Sequence, residues 1–462
     1  MAKEVVIVGG GVAGIFVLRN LLAKKDKVGE GMHLTLIKRE RSGWESVCGL
    51  PFALRGWYEI GLTEIQKPQF FQDQGVDFRT ETEVVQINVA EGFVTLDTAE
   101  VLKYDYLVLA TGRTPSMPAV VEQAKLEGVY TFNDEDDARE IEAAMNAEGV
   151  EHAFVRGRGI NGLQAAVAFA TKGLKTTVLG GPPSLLPSAL DPDMGGMLKE
   201  WLEKQGIRFI LERKPLTALK GDGGQVKSVV VGDEEIPADI MVIALGAAPN
   251  ADLAKDPELE TGESGGFVTD SAMHVRKGGC SLNNVYAVGD CVEVIDGITH
   301  RPRLSQFAST AVVQALVICE NILGELIEQS TLYSPYAPCI SPSIADIGGL
   351  LVGAVGVTSE AAARAGIKTV NGKATKLIKA RYFPGATKLT MKLIFDAFTR
   401  KLIGAQLVGE ATVAERINEL AVAIYAGLTA AELRNMERCF DPSLSQLVDV
   451  TTDAAEKALE SV

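Results

Sequence analysis

Residues 5–14 read Val5-Val6-Ile7-Val8-Gly9-Gly10-Gly11-Val12-Ala13-Gly14. The apolar run Val5 to Val8 predicts a strand, which enters a glycine turn and then a helix from Val12 to about Lys24. Leu34 to Ile37 supplies the next strand. In a strand, turn, helix and strand of this kind, Gly9 permits the tight turn and Gly11 lets the backbone approach a pyrophosphate. Gly14 removes a side chain where helix and strand pack closely. The free N–H groups and the dipole at the helix start favour the negative charge of a diphosphate. The stretch therefore predicts an α/β chain built on a dinucleotide-binding unit.

The acid that would receive a ribose at the end of the second strand is missing, because Lys38 stands there in the run Lys38-Arg39-Glu40-Arg41. Lys38 is a candidate cofactor contact, and Glu40 is a substitute acid if the strand has ended before it. The plain alternative is that these four residues cover a wet edge. A second unit repeats the first. Ala153 to Arg156 predicts a strand, Gly157, Gly159 and Gly162 repeat the spacing, a helix follows from Asn161 to Lys172, and Thr176 to Leu179 forms the next strand. Gly180 and Gly181 occupy its ribose position, with Arg156 and Arg158 as basic residues suited to phosphate or to solvent. Two such units argue for two nucleotides, one retained and one exchanged.

Three further strands end in turns suited to ligands. Tyr104 to Ala110 ends in Thr111, Gly112 and Arg113, Ile240 to Leu245 ends in Gly246, and Val285 to Val288 delivers Gly289 and Asp290. Ligands of open α/β sheets bind beyond the carboxyl ends of strands, which groups these turns with the glycine loops. Asp290 can accept hydrogen bonds from cofactor hydroxyls, or it can cap a helix. Beyond about Tyr336 the pattern changes. Val352 to Val357, Thr375 to Tyr382, Lys388 to Phe395 and Leu402 to Val408 suggest an antiparallel sheet. Helices at about Ala411 to Tyr425 and Ala430 to Met436 follow, giving a separate α+β domain.

The charge balance of 45 Lys and Arg against 60 Asp and Glu, net −15, argues against a nucleic-acid partner. Six cysteines at 48, 280, 291, 319, 339 and 439 are too irregular for a disulfide scaffold, and four scattered histidines predict no metal site. No apolar stretch is read as reaching the roughly 18 residues of a membrane span. The start does not read as a signal peptide, so a cytoplasmic location is expected.

The glycine sets 9, 11, 14 and 157, 159, 162, the Ala110-Thr111-Gly112 turn and Gly289-Asp290 together resemble a flavin-dependent pyridine nucleotide-disulfide oxidoreductase over nearly the whole chain. The resemblance implies two Rossmann-like domains, for FAD and for NADH or NADPH, and a C-terminal dimerisation domain. The implied boundaries are 1–118 and 255–335 for FAD, 119–254 for the nicotinamide nucleotide and 336–462 for the interface. The segment Ser46-Val47-Cys48-Gly49-Leu50-Pro51-Phe52 is similar to the single-cysteine segment of coenzyme A disulfide reductases, persulfide or polysulfide reductases and NADH oxidases or peroxidases. In those relatives the cysteine faces flavin, which marks Cys48 as catalytic. No second cysteine stands nearby for two-cysteine chemistry. The chain departs from the coenzyme A disulfide reductases at Phe440, where they place a tyrosine.

The first expectation is thus reduction of a small disulfide, persulfide or polysulfide by NAD(P)H through FAD and Cys48, in a homodimer. The second is an oxidase or peroxidase passing electrons to oxygen or peroxide. The third, motivated by the two missing ribose acids, is a flavin-bearing subunit that exchanges electrons with another chain.

Overall fold

The computed structural model describes residues 2–28, 31–255, 258–327 and 335–461. The chain divides into two compact units. The first comprises Met1–Leu50, Tyr58–Thr114 and Ala247–Cys339, and the second Pro51–Trp57, Pro115–Gly246 and Ile340–Val462.

The first unit is built on a six-stranded sheet in the order His274–Lys277, Cys280–Ala287, Tyr106–Leu109, Lys3–Val8, Met32–Ile37, Asp77–Arg79. All neighbours are parallel except the first pair. Its central strands are continuous apolar runs, as a sheet covered on both faces requires, and Val5, Ile7, Leu36, Leu107 and Val108 are fully buried. The helices Val12–Leu22 and Ala308–Leu326 pack beside this sheet and against each other. Ala308–Leu326 is long and apolar enough to cross a membrane, contrary to the sequence expectation that no run reaches that length. It is a core helix here. Gln314 is fully buried and accepts from the Gly289 N–H at 2.8 Å, and Asn321 donates to the Ala272 carbonyl at 3.1 Å.

In the second unit a parallel sheet runs Val129–Tyr130, Ile240–Ile243, His152–Arg156, Lys175–Leu179, Arg208–Ile210, with the helix Ile160–Thr171 following its central strand. An antiparallel sheet of Leu216–Asp222, Gln225–Val231 and Glu234–Pro237, outside the sequence expectation, joins its core. The carboxyl-terminal sheet has five antiparallel strands in the order Ser343–Ile347, Leu350–Gly356, Leu402–Gly409, Lys388–Asp396, Thr369–Leu377. The last strand begins and ends earlier than the expected Thr375 to Tyr382, because it pairs residue for residue with Lys388–Asp396. The edge strand Ser343–Ile347, the short helix Ser359–Arg364 and the helix Val450–Glu460 lie outside the sequence expectation. That helix lies so close on the sheet that a Cβ at Gly372 would fall 1.7 Å from the Ala454 carbonyl oxygen.

Candidate functional site

The first glycine turn is shaped by the strand beside it. Gly9 has φ +112°, and a Cβ there would lie 2.0 Å from the Ala110 carbonyl oxygen, so only glycine fits. Gly14 packs directly on the turn, its Cβ position 2.0 Å from the Gly9 carbonyl oxygen. Gly11 differs: its φ is −72° and a Cβ would meet nothing within 4 Å. The protein leaves open space at the N-cap of Val12–Leu22, beside the free helix N–H groups, where a diphosphate would sit.

The Thr111, Gly112 and Arg113 turn is tied to Asn250, a residue not singled out from sequence. Asn250 Nδ2 donates to the Thr111 carbonyl at 2.9 Å, Thr111 Oγ1 donates to the Asn250 carbonyl at 2.5 Å, and the Asn250 N–H donates to the Gly112 carbonyl at 2.9 Å. At the next strand end, Gly289 lies so near the first helix that a Cβ would come 2.7 Å from Ala13 Cβ. Asp290 pairs with Arg113 at 3.2 Å, with each side chain about a quarter exposed. Burial pushes the Asp290 carboxyl above its ordinary range, and Arg113 pulls it back only in part. Asp290 lies inside the 3-10 turn Gly289–Cys291, whose N-cap is Val288, and Phe307 is the N-cap of Ala308–Leu326, so Asp290 caps neither. Gln314 Nε2 is buried without a hydrogen-bond partner while its Oε1 holds the Gly289 N–H. An orphaned donor beside an acid, an arginine and an open glycine turn fits a polar, anionic dinucleotide such as FAD. A glutamine inside the apolar run Ala311 to Cys319 was the sequence signal for it.

Lys38 covers no wet edge. It is 6% exposed, its stem lies over Gly10, and its ammonium donates to the Gly43 carbonyl at 2.9 Å and to Ser42 Oγ at 3.1 Å. Arg39, Glu40 and Arg41 are exposed. Lys38 thereby ties the glycine turn to the segment that carries Cys48. The Gly43 N–H donates to Glu64 at 2.8 Å, and Trp44 meets Phe16 of the first helix edge-on with ring centroids 5.7 Å apart. Cys48 itself sits in the short 3-10 turn Val47–Gly49 and is exposed. Around it the Ser46 N–H donates to the Thr63 carbonyl at 2.8 Å, the Gly49 N–H to the Ser46 carbonyl at 2.8 Å, and the Tyr58 hydroxyl to the Gly49 carbonyl at 2.8 Å. A thiol on a braced, accessible turn can meet a substrate without a change of backbone.

The second glycine loop repeats the geometry of the first. Gly157 has φ +150°, with its Cβ position 2.1 Å from the Ala244 carbonyl oxygen, and Gly162 packs on Gly157. Gly159, the N-cap of Ile160–Thr171, has open space where a Cβ would be, as Gly11 has. Gly246 follows the strand Ile240–Ile243 with φ +90° and accepts from the Ser116 N–H at 3.0 Å. Thus Gly9, Gly11, Gly14, Lys38, Cys48, Thr111, Gly112, Arg113, Gly289 and Asp290 belong to the first unit, and Gly157, Gly159, Gly162 and Gly246 to the second.

Of the other cysteines, Cys291, Cys319 and Cys339 are buried, while Cys280 and Cys439 are exposed. Burial pushes the Cys291 thiol up. Among the described residues no group of three His, Cys, Asp or Glu side chains is placed to hold a metal ion.

Two glycine loops at helix N-termini and a braced, accessible thiol suit a nucleotide-dependent oxidoreductase. The chain belongs to the pyridine nucleotide-disulphide oxidoreductase family, whose model matches residues 3–315, and it carries that family's dimerisation domain over residues 347–450. It is a FAD-dependent NAD(P)H oxidoreductase. It is 33% identical to an NADH oxidase of Methanocaldococcus jannaschii, covering 99% of both chains. It is 29% identical to a CoA-dependent NAD(P)H sulfur oxidoreductase of Pyrococcus furiosus, covering 97% of both. Among solved structures, a NAD-dependent persulfide reductase from A. fulgidus superposes with a TM-score of 0.91 at 30% identity, covering 99% of this chain and 83% of that one.

Proposed function

We propose that the enzyme reduces a small disulfide, persulfide or polysulfide with NAD(P)H, and that Cys48 is the sulfur-handling residue. The observation that carries this reading is the exposed Cys48 turn, braced by Tyr58 and Thr63 and tied through Lys38 and Trp44 to the first glycine loop and its helix. The sulfur substrates named for two of the relatives point the same way.

The first nucleotide site, on 1–118 and 255–335, is assigned to FAD. Gly9, Gly11 and Gly14 receive the diphosphate, and Thr111, Gly112, Arg113, Gly289 and Asp290 line the hydroxyl-bearing part of the cofactor. Lys38 acts from beneath, holding the loop that carries the thiol. The second site, on 119–254, is assigned to the nicotinamide nucleotide, with Gly157, Gly159, Gly162 and Gly246 as its frame. Bound FAD supplies the two-electron relay between the nicotinamide hydride and sulfur. In the sulfur half-reaction, the Cys48 thiolate attacks one sulfur of the substrate. The S–S bond breaks, one half leaves as a thiolate that takes a proton, and the other half remains as a disulfide on Cys48. Two electrons and a proton then return Cys48 to the thiolate and free the second half as a thiol. The Tyr58 and Thr63 bonds hold the turn so that attack costs little reorientation.

Residues 336–462 are read as the interface of a homodimer. Six cysteines without a disulfide suit the reducing cytoplasm.

The test compares wild type with Cys48→Ser under anaerobic conditions. Disulfide and persulfide turnover should fall by about 10²-fold or more. NAD(P)H should still bleach the flavin, and mass spectrometry should find the substrate adduct only on wild-type Cys48. Equal turnover with no adduct would remove the thiol route. Under air, oxygen consumption that survives Cys48→Ser and exceeds sulfur reduction would favour the oxidase reading suggested by the first relative's name.

A further inference from the structure

The end of the strand Lys175–Leu179, where a dinucleotide site usually keeps its ribose acid, does more than lack a carboxylate. A Cβ at Gly180 would lie 2.7 Å from Leu211 Cδ2, 3.2 Å from Arg158 Cβ and 3.3 Å from Arg158 Cδ. The space for an acidic side chain is filled, and part of what fills it is an arginine from the glycine loop itself. Arg158 Nη1 donates to the Ser184 carbonyl at 3.0 Å and to the Gly181 carbonyl. Arg156 Nη1 donates to the carbonyls of Leu179 at 3.1 Å and Gly180 at 2.7 Å. Two guanidinium groups are thus anchored at one strand end. Among the described residues neither is hydrogen-bonded to a carboxylate, and the bonds that Arg158 makes leave its Nε and Nη2 for a ligand. Burial, and after it the neighbouring Arg158 charge, lower the pKa of Arg156.

The two nicotinamide nucleotides differ only at the adenosine ribose. NADH presents a 2′-hydroxyl that donates to a carboxylate, whereas NADPH presents a 2′-phosphate that needs cationic donors. We propose that the second site takes NADPH in preference to NADH and that Arg158 is the residue that decides. This rests on reading the 157–162 loop as the nicotinamide-nucleotide site, and it departs from the NADH and NAD in the names of one relative and one solved structure. Glu360 is the acid whose field reaches Arg158, and its carboxylate is also bonded to Arg364 at 2.7 Å. Glu360 therefore opposes a 2′-phosphate at Arg158.

The experiment titrates FAD-loaded enzyme by calorimetry with 2′,5′-ADP and with ADP, redox-inert fragments with and without the 2′-phosphate. The 2′,5′-ADP should bind about ten- to a hundredfold more tightly, the range expected of charge-assisted hydrogen bonds. Arg158→Ala should erase that difference while leaving ADP affinity and FAD content near wild type. Glu360→Gln should tighten 2′,5′-ADP alone. ADP binding as tightly as 2′,5′-ADP, or Arg158→Ala weakening both equally, would overturn the specificity. Failure of both fragments to bind FAD-loaded enzyme would overturn the nucleotide assignment of the loop itself.

Discussion

Three glycines in one turn are constrained by different things. Gly9 and Gly14 are held by protein, each with a backbone carbonyl 2.0 Å from where a Cβ would be, whereas Gly11 is bounded by nothing in the chain. Gly14→Ala is therefore expected to destabilise the FAD-free protein by about 1–3 kcal/mol through overpacking. Gly11→Ala, at φ −72°, should leave the FAD-free melting temperature nearly unchanged yet lower FAD affinity at least about tenfold, because its methyl enters the cofactor's space. Melting curves of FAD-free protein and FAD titration by flavin fluorescence separate the two effects. A Gly11→Ala protein that binds FAD normally would remove the diphosphate from this position. The spacing of these residues was legible in the sequence because the backbone alone makes the site. Lys38 was only half legible. Its place at the strand end was visible, but its burial over Gly10 depends on a turn that closes several residues later.

Between elements, the helices of the carboxyl-terminal domain are joined by a polar tie. Arg416, on the helix Val413–Tyr425, donates two parallel bonds, at 2.8 and 2.7 Å, to Asp449, the N-cap of Val450–Glu460. Asp449 also accepts from the Thr451 N–H at 2.8 Å. Burial pushes the Asp449 carboxyl up, but the Arg416 guanidinium and the Thr451 hydrogen bonds together outweigh it and hold the group below the ordinary carboxylate range. The stability this pair supplies is therefore complete above about pH 4, the ordinary Asp value, and is lost as pH falls through the lower folded value. Asp449→Ala removes the cap and strands a buried guanidinium. It is expected to cost about 3–5 kcal/mol in urea unfolding at pH 7, with a smaller difference from wild type at pH 3. A pH-independent difference would assign the loss to packing. Neither partner announces the other in sequence, since they are separated by a second helix and a long loop. The hairpin Leu216–Asp222 and Gln225–Val231 is legible in the sequence, with Gly223-Gly224 between two β-rich runs, though its signal is weaker than the nucleotide pattern beside it.

For the whole molecule, the decisive surface is the one the chain leaves uncovered. In the segment 436–448, Phe440 is half exposed and Leu444 and Leu447 are 75% and 77% exposed. Tyr425 and Val448 add to the apolar surface left open in this domain. Large apolar side chains gathered in one segment are unusual on a lone chain and usual at an interface. The matched dimerisation domain ends at residue 450, so it includes them. The sequence showed a change of domain near residue 336 but no interface, because hydrophobicity written along a chain does not say which apolar residues the fold has left outside. If the homodimer assignment is right, wild type sediments at twice the chain mass at micromolar concentration. Leu444→Glu with Leu447→Glu then sediments as a single chain with an unchanged far-ultraviolet spectrum, since neither residue supports the core of its own chain. The same variant should bind FAD, whose assigned contacts all lie in the first unit. A wild type that sediments as one chain would leave these leucines without a partner, whereas a dimer that survives both substitutions would move the interface to another face of the domain.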